Sequence, residues 1–171
     1  MQRPNMFELK NVTYTYRAAS APEFTALRDV NLKIEQGDFV AIIGPSGSGK
    51  STLMHLLGMM SNPTSGTVEV LGESVSEMEA NTVAEKRNTT LGFLFQQFFL
   101  IPQLSVFENI LLPSEYNRGS ASTEIWSERA DELIERFGLI EHKHKRPAQL
   151  SGGQRQRVAL CRALMMKPDV L

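Results

Sequence analysis

Gly44-Pro45-Ser46-Gly47-Ser48-Gly49-Lys50-Ser51-Thr52 has the composition and spacing of a phosphate cradle. Glycines at 44, 47 and 49 permit backbone angles closed to other residues, so successive N–H groups can curl around phosphate oxygens. Lys50 offers an ammonium to the terminal phosphates, and the Ser51 hydroxyl offers a ligand to Mg²⁺. Such a loop needs a strand before it and a helix after it. The apolar run Phe39-Val40-Ala41-Ile42-Ile43 reads as a buried strand, and Leu53-Met54-His55-Leu56-Leu57 reads as the start of a helix. That helix turns its positive dipole end toward the same anion. A bare glycine-rich turn is the plainer alternative, and the flanking strand and helix disfavour it.

A second stretch has related chemistry. Leu150-Ser151-Gly152-Gly153-Gln154 precedes a run with helical periodicity, Arg155 to Leu164, and Ser151 is a good N-cap. Read plainly, this is a capped helix start. Each glycine, however, weakens a helix by up to about 1 kcal/mol relative to alanine. The pair makes sense where a backbone must approach a ligand closely, with a helix N-terminus again aimed at an anion.

The remaining elements must position these two stretches. Phe7 to Tyr16 alternates as a strand, and Leu27 to Ile34 alternates again, with a Pro22-containing loop from Arg17 to Thr25 between them. Gln36-Gly37-Asp38 turns the chain into the strand before the phosphate loop. Thr67 to Gly72 reads as a short strand, Glu73 to Asn88 as a polar stretch, and Leu91 to Phe95 as a buried strand. Glu77 and Glu79 could be a carboxylate pair, but a solvated face explains them as well. Phe98 to Pro102 is an aromatic apolar loop, either core packing or a surface for a partner. Ser105 caps a helix through Leu112, because Glu108 completes a capping box, and Pro113 stops it. Thr123 to Phe137 is a helix with Trp126, Ala130, Leu133, Ile134 and Phe137 on one stripe, ended by Gly138. His142 to Arg146 reads as a basic solvated turn, and its two histidines lack further ligands for zinc.

Composition narrows the function classes. The 171 residues are 42% hydrophobic and 22% charged, which suits one soluble globular domain. A formal net charge of −1 gives no bulk attraction to nucleic acid or anionic lipid. The single Cys161 rules out an intrachain disulfide and fits a reducing compartment. No apolar run approaches the roughly 18 residues of a membrane span, and no signal peptide is evident, so no direct membrane insertion is expected.

Together the two motifs resemble the ATP-binding domain of ABC (ATP-binding cassette) transporters. Gly44 to Thr52 matches the family's Walker A loop, and Leu150 to Gln154 matches its signature motif at every position. Gln96 matches the Q-loop glutamine, which in the family contacts Mg²⁺ and the attacking water. Tyr16 sits where the family places an aromatic that stacks on adenine, with Tyr14 two residues away. The resemblance implies that Lys50, Gln96 and Ser151 act on ATP, and that Ser51 and Gln96 hold Mg²⁺. It implies that ATP is bound by Tyr16, by Gly44, Pro45, Ser46, Gly47, Ser48, Gly49, Lys50, Ser51 and Thr52, and by Ser151, Gly152, Gly153 and Gln154.

The implied fold is α/β: a P-loop NTPase core with an antiparallel β-layer at the N-terminus and a helical subdomain, incomplete at the C-terminus. Within one domain, 1–38 would be the β-layer, 39–95 the Walker A core, 96–150 the Q-loop and helical subdomain, and 151–171 the signature helix with the start of the Walker B strand. The implied partners are ATP, a second ATP-binding domain in a head-to-tail homodimer, and an integral membrane permease. That arrangement would hold the chain on the cytoplasmic face of the membrane. The Gly92-Phe93-Leu94-Phe95-Gln96 and Leu100-Ile101-Pro102 stretches look most like the lipoprotein-release and macrolide-export group.

The chain departs from the family at Lys167-Pro168-Asp169-Val170-Leu171, the opening of the Walker B strand. The magnesium-ordering aspartate, the general-base glutamate and the switch histidine would lie beyond Leu171, and Asp169 falls at the wrong end of the strand to substitute. The expectation is therefore an ABC-type ATPase by family whose 171 residues alone do not turn ATP over. The alternative is a hydrolysis-deficient nucleotide-binding fragment with a regulatory role or none. A soluble relative acting on DNA or ribosomes is disfavoured, since no coiled-coil insertion or extended basic stretch is present.

Overall fold

Two long alternating segments near the N-terminus pair as antiparallel strands, β1 (Asn5–Ala18) and β2 (Ala21–Glu35). The computed structural model describes residues 3–18, 21–117 and 123–171, which fall into two compact units, Met1–Val83 and Ala84–Leu171. In the first unit β3 (Ser65–Val70) and β4 (Glu73–Ser74) complete a sheet in the order β2-β1-β3-β4. Phe7, Leu9, Val68 and Val70 are buried by simple alternation. In β1 the phase then slips. Asn11 is left-handed at φ 51°, and its N–H donates to Asn31 Oδ1 at 2.9 Å, so Val12 becomes the next fully buried residue after Leu9. The expected loop from Arg17 to Thr25 is strand over 17–18 and 21–25, while residues 19 and 20 lie outside the described residues. Thr25 pairs with Thr15 and Phe24 with Tyr16, and Pro22 is tolerated because β2 is an edge strand.

The helix after the glycine-rich loop forms as expected. It is α1 (Lys50–Leu57), which buries Thr52, Leu56 and Leu57. The strand before the loop does not form. Residues 39–43 are irregular, with Phe39 98% and Ile43 89% exposed. A strand is held by its neighbours' N–H and C=O groups, and no described residue pairs with this run.

The polar stretch after β4 contains α2 (Ala80–Thr90), which crosses the boundary between the units. The second unit is otherwise built from α3 (Val106–Glu115), α4 (Thr123–Arg136) and α5 (Gly152–Leu164). Its core combines Val106 and Ile110, then Ala130, Leu133 and Ile134, then Leu139, Leu150, Val158, Cys161 and Met165. The α4 stripe is as the periodicity predicts, with Trp126 and Phe137 packed at its margins. At its end Gly138 is left-handed, φ 64°. The Leu139 N–H donates to the Ile134 carbonyl and the Gly138 N–H to that of Glu135, which is the double bond of a Schellman stop.

α3 begins as predicted. Ser105 Oγ accepts from the Glu108 N–H, and Glu108 Oε2 accepts from the Ser105 N–H at 2.7 Å. The first two amides, Val106 and Phe107, donate to the carbonyls of Lys145 and Lys143, so the orphan donors of the helix start are met. The helix does not stop at Leu112. It passes through Pro113 to Glu115, and the proline, which has no N–H to give the carbonyl four residues back, sits in its last turn. The basic segment 142–146 is more than a solvated turn. Besides capping α3, it sets Lys143 over the Phe107 ring and beside Asp131. The Leu91–Phe95 strand is reduced to one parallel bridge, Leu91 to Val170, and Leu94 and Phe95 remain exposed. A Cβ on Gly92 would lie 2.5 Å from the Ala163 carbonyl, so only glycine fits beside the end of α5.

Candidate functional site

The glycine-rich loop is shaped by its own backbone. Gly47 and Gly49 are left-handed at φ 81° and 90°, and Gly49 forms the N-cap of α1 in that conformation. Its Cβ position lies 2.6 Å from the Ala26 carbonyl, so β2 seats the loop closely at this point. Lys50 folds back over the loop, its Nζ donating to the carbonyls of Gly44 at 2.9 Å and Pro45 at 2.6 Å. Residues 44–48 and Ser51 are exposed, and the first turn of α1 carries no acidic residue. An ammonium drawn over the loop, an uncompensated helix N-terminus and a free-standing serine at its second position fit a phosphate group with its divalent cation.

Tyr16 stands beside this loop. Its hydroxyl lies 3.0 Å from Thr52 Oγ1, tying β1 to the first turn of α1, and its ring meets Tyr14 edge-on at 4.9 Å. Tyr16 is 44% exposed, which leaves ring surface open to a flat ligand, whereas Thr52 is buried and turned toward the tyrosine. The structure thus brings Tyr16 and residues 44–52 together in the first unit.

The other expected site residues lie in the second unit. Ser151 caps α5 through a capping box, its Oγ accepting from the Gln154 N–H at 3.3 Å while Gln154 Oε1 accepts from the Ser151 N–H at 2.7 Å. Gln154 Nε2 also lies 2.8 Å from His142 Nε2, so this side chain holds the cap. Sequence reading missed this reciprocal role, although serine followed three residues later by glutamine is its signal. Ser151, Gly152 and Gly153 are exposed, and no atom lies within 4 Å of a Cβ built on either glycine. Neither glycine has a left-handed φ, so among the described residues nothing requires glycine at 152 or 153. No acidic residue occupies the first turn of α5.

Gln96 sits with Gln97 at the tip of an exposed turn closed by the Phe98 N–H donating to the Phe95 carbonyl at 3.0 Å. The aromatic loop that follows is partly core and partly surface. Leu100 packs on the helical core, while Phe99 is 59% and Ile101 39% exposed. Asn109, fully buried, takes the Ile101 N–H on Oδ1 at 2.8 Å and shares its amide with the carbonyls of Ile101, Leu104 and Ser105. No sequence pattern announced this clamp. A cavity of about 320 Å³ lies beside the loop, lined by Gln97, Phe98, Leu100, Pro147 and Arg155. Glu77 and Glu79 are exposed, and among the described residues no cluster of acidic, histidine or cysteine side chains could hold a metal by itself.

Comparison with known proteins gives this arrangement its context. Residues 27–171 match the family model for ABC transporters. A macrolide export ATP-binding/permease protein, MacB, from Syntrophobacter fumaroxidans is 44% identical over 167 residues, which cover 98% of this chain and 23% of that protein. The lipoprotein-releasing system ATP-binding protein LolD 1 of Rhodopirellula baltica is 43% identical over 166 residues, 97% of this chain and 71% of that one. Among solved structures, the dimeric ATP-binding cassette MJ0796 in a post-hydrolysis state with ADP and Pi superposes with a TM-score of 0.84 at 42% identity, covering 95% of this chain and 71% of that chain. The chain therefore spans about a quarter of the MacB relative and under three-quarters of the other two. By sequence and by fold, the chain belongs to the ABC transporter family.

Proposed function

We propose that this chain is the ATP-binding element of an export transporter, binding ATP between residues 44–52 of one copy and Ser151-Gly152-Gly153 of a second. The observation that carries the reading is the pair Gly152 and Gly153. They are exposed at a helix start, cost helix stability, and have no described residue packed against their Cβ positions. A surface from outside that must come within backbone distance of them explains both, and the dimeric assembly named for the MJ0796 relative supports it.

In this reading Tyr16 stacks on the adenine, and the loop amides with Lys50 neutralise the β- and γ-phosphates. Ser51 would be a ligand of Mg²⁺, and Gln96 would supply a further ligand and orient water. Ser151, already fixed by its capping box, presents its hydroxyl and the α5 N-terminus to the γ-phosphate of the partner copy's nucleotide. Residues 1–38, 39–95, 96–150 and 151–171 then serve as β-layer, Walker A core, helical subdomain and signature helix. The exposed Phe99 and Ile101, with the adjoining cavity, form the contact for a membrane permease, which keeps the chain on the cytoplasmic face of the membrane. No described helix is long and apolar enough to cross a membrane. The names of the MacB and LolD relatives support a role in export or lipoprotein release.

Residues 1–171 alone contain no carboxylate at the family's water-polarising position, so they are expected to bind ATP and not to turn it over. The test is titration of the 171-residue chain with a fluorescent ATP analogue and Mg²⁺, beside a steady-state ATPase assay. Saturable binding weakened at least tenfold by Lys50→Ala, without turnover, supports the reading. Absence of binding overturns the site, and turnover abolished by Lys50→Ala overturns the non-hydrolysing part.

A further inference from the structure

Arg162, two residues before the end of α5, grips the aromatic loop with both arms of its guanidinium. Nη1 donates to the Phe99 carbonyl at 2.8 Å and Nη2 to the Phe98 carbonyl at 2.6 Å. Those two residues have left-handed backbones, φ 60° and 45°, a conformation that non-glycine residues hold only where their surroundings dictate it. The fork of arginine suits two adjacent carbonyls as the single ammonium of lysine does not. Half-buried, the guanidinium loses hydration, and burial lowers its pKa; the two charge-assisted bonds offset that loss. Beyond the grip, Asn109 pins the loop again at Ile101, so residues 98–101 are anchored on α5 at one end and on α3 at the other.

α5 runs unbroken from Gly152 to Leu164. Arg162 and Ser151 therefore stand near opposite ends of one helix, about 16 Å apart along its axis at 1.5 Å per residue. The helix is fastened to the core through Val158 and Cys161, with Met165 just past its end. Both arms of the Arg162 guanidinium go to a loop whose Phe99 and Ile101 face outward. We propose that Arg162 is a positioning residue that links the Phe98–Pro102 loop to α5, so that displacement of the loop by a membrane partner reaches Ser151-Gly152-Gly153 as a shift of the whole helix. This rests on the function proposed above.

The test uses the natural transporter complex in nanodiscs, comparing wild type, Arg162→Lys and Arg162→Met, the last keeping most of the aliphatic stem. Arg162→Met is expected to leave the KM for ATP and the partner-free ATPase within twofold of wild type, and to reduce partner stimulation at least tenfold. Arg162→Lys should recover part of that stimulation. Amide hydrogen exchange gives a readout independent of turnover. Adding the partner should change protection at residues 152–154 in wild type and not in Arg162→Met, while protection of 158–165 is kept in both. Stimulation and transmitted protection both retained in Arg162→Met overturn the link, as does loss of protection throughout α3 and α5, which would make Arg162 a folding residue only. A wild-type ATPase indifferent to the partner overturns the transporter reading and the link with it; a stimulated wild type matched by Arg162→Met overturns the link alone.

Discussion

Gly47 and Gly49 have nearly the same backbone, φ 81° and 90°, and very different surroundings. Alanine at either position is forced into the left-handed region, at a cost of about 1–2 kcal/mol. Alanine also narrows the unfolded ensemble equally in both cases, a gain of about 0.4–1 kcal/mol that cancels between the variants. Nothing lies within 4 Å of a Cβ at 47, whereas at 49 it meets the Ala26 carbonyl at 2.6 Å and Leu27 Cδ2 at 3.0 Å. The carbonyl belongs to β2 and cannot swing away as a side-chain tip can, so Gly49→Ala adds an overpacking cost of about 1–3 kcal/mol. Gly49→Ala should therefore be less stable than Gly47→Ala by that same 1–3 kcal/mol. Guanidinium unfolding followed by far-UV circular dichroism measures the difference, provided the transition is two-state and the slopes agree. Equal stabilities within about 0.5 kcal/mol, the usual scatter of a surface substitution, would refute the claim that β2 seats this loop.

Ser105→Ala, which removes one half of the α3 capping box, should lower stability by about 1 kcal/mol in the same unfolding assay. The Ser105 backbone N–H, followed by its hydroxyl, holds the Glu108 carboxyl below its ordinary range. A lowered folded pKa gives stability that is fully present above the unfolded value of about 4.3 and is lost as the pH falls through the folded one. Thermal scans from pH 6 to pH 3 should show a shallower acid loss in Glu108→Gln than in wild type. Cys161 is fully buried and burial pushes its thiol up to about 12, so a thiol-specific reagent at pH 8 should label it only as fast as the fold opens. Rapid labelling without denaturant would place that thiol outside the core.

Signals confined to a few neighbouring residues were legible in the sequence. Ser105 with Glu108 marked a helix start, Gly138 marked a helix stop, and the glycine loop with its lysine marked α1. Features created by a second segment were not. Residues 39–43 read as a strand from their apolar content alone, but strand geometry belongs to a pair, and no described residue completes one. The phase slip at Asn11 depends on a hydrogen bond that its N–H donates to Asn31 Oδ1, twenty positions away. The left-handed Phe98 and Phe99 depend on Arg162, more than sixty positions away, and two phenylalanines in succession carry no propensity for that conformation.

The glycines separate two kinds of constraint that composition cannot distinguish. Gly49, Gly66 and Gly92 are required from within, since a Cβ on each would lie 2.3 to 2.6 Å from a backbone carbonyl of this chain. Gly152 and Gly153 are not, since a methyl at either would meet open space on an ordinary helical backbone. Alanine at both positions would strengthen the start of α5, by as much as about 1 kcal/mol each. A sequence that forgoes that gain at the exposed end of a helix capped by Ser151 supports the proposed contact with a second copy. The requirement is steric closeness to backbone rather than any side-chain chemistry, as expected of a motif that closes on the phosphate of a nucleotide held by a second copy.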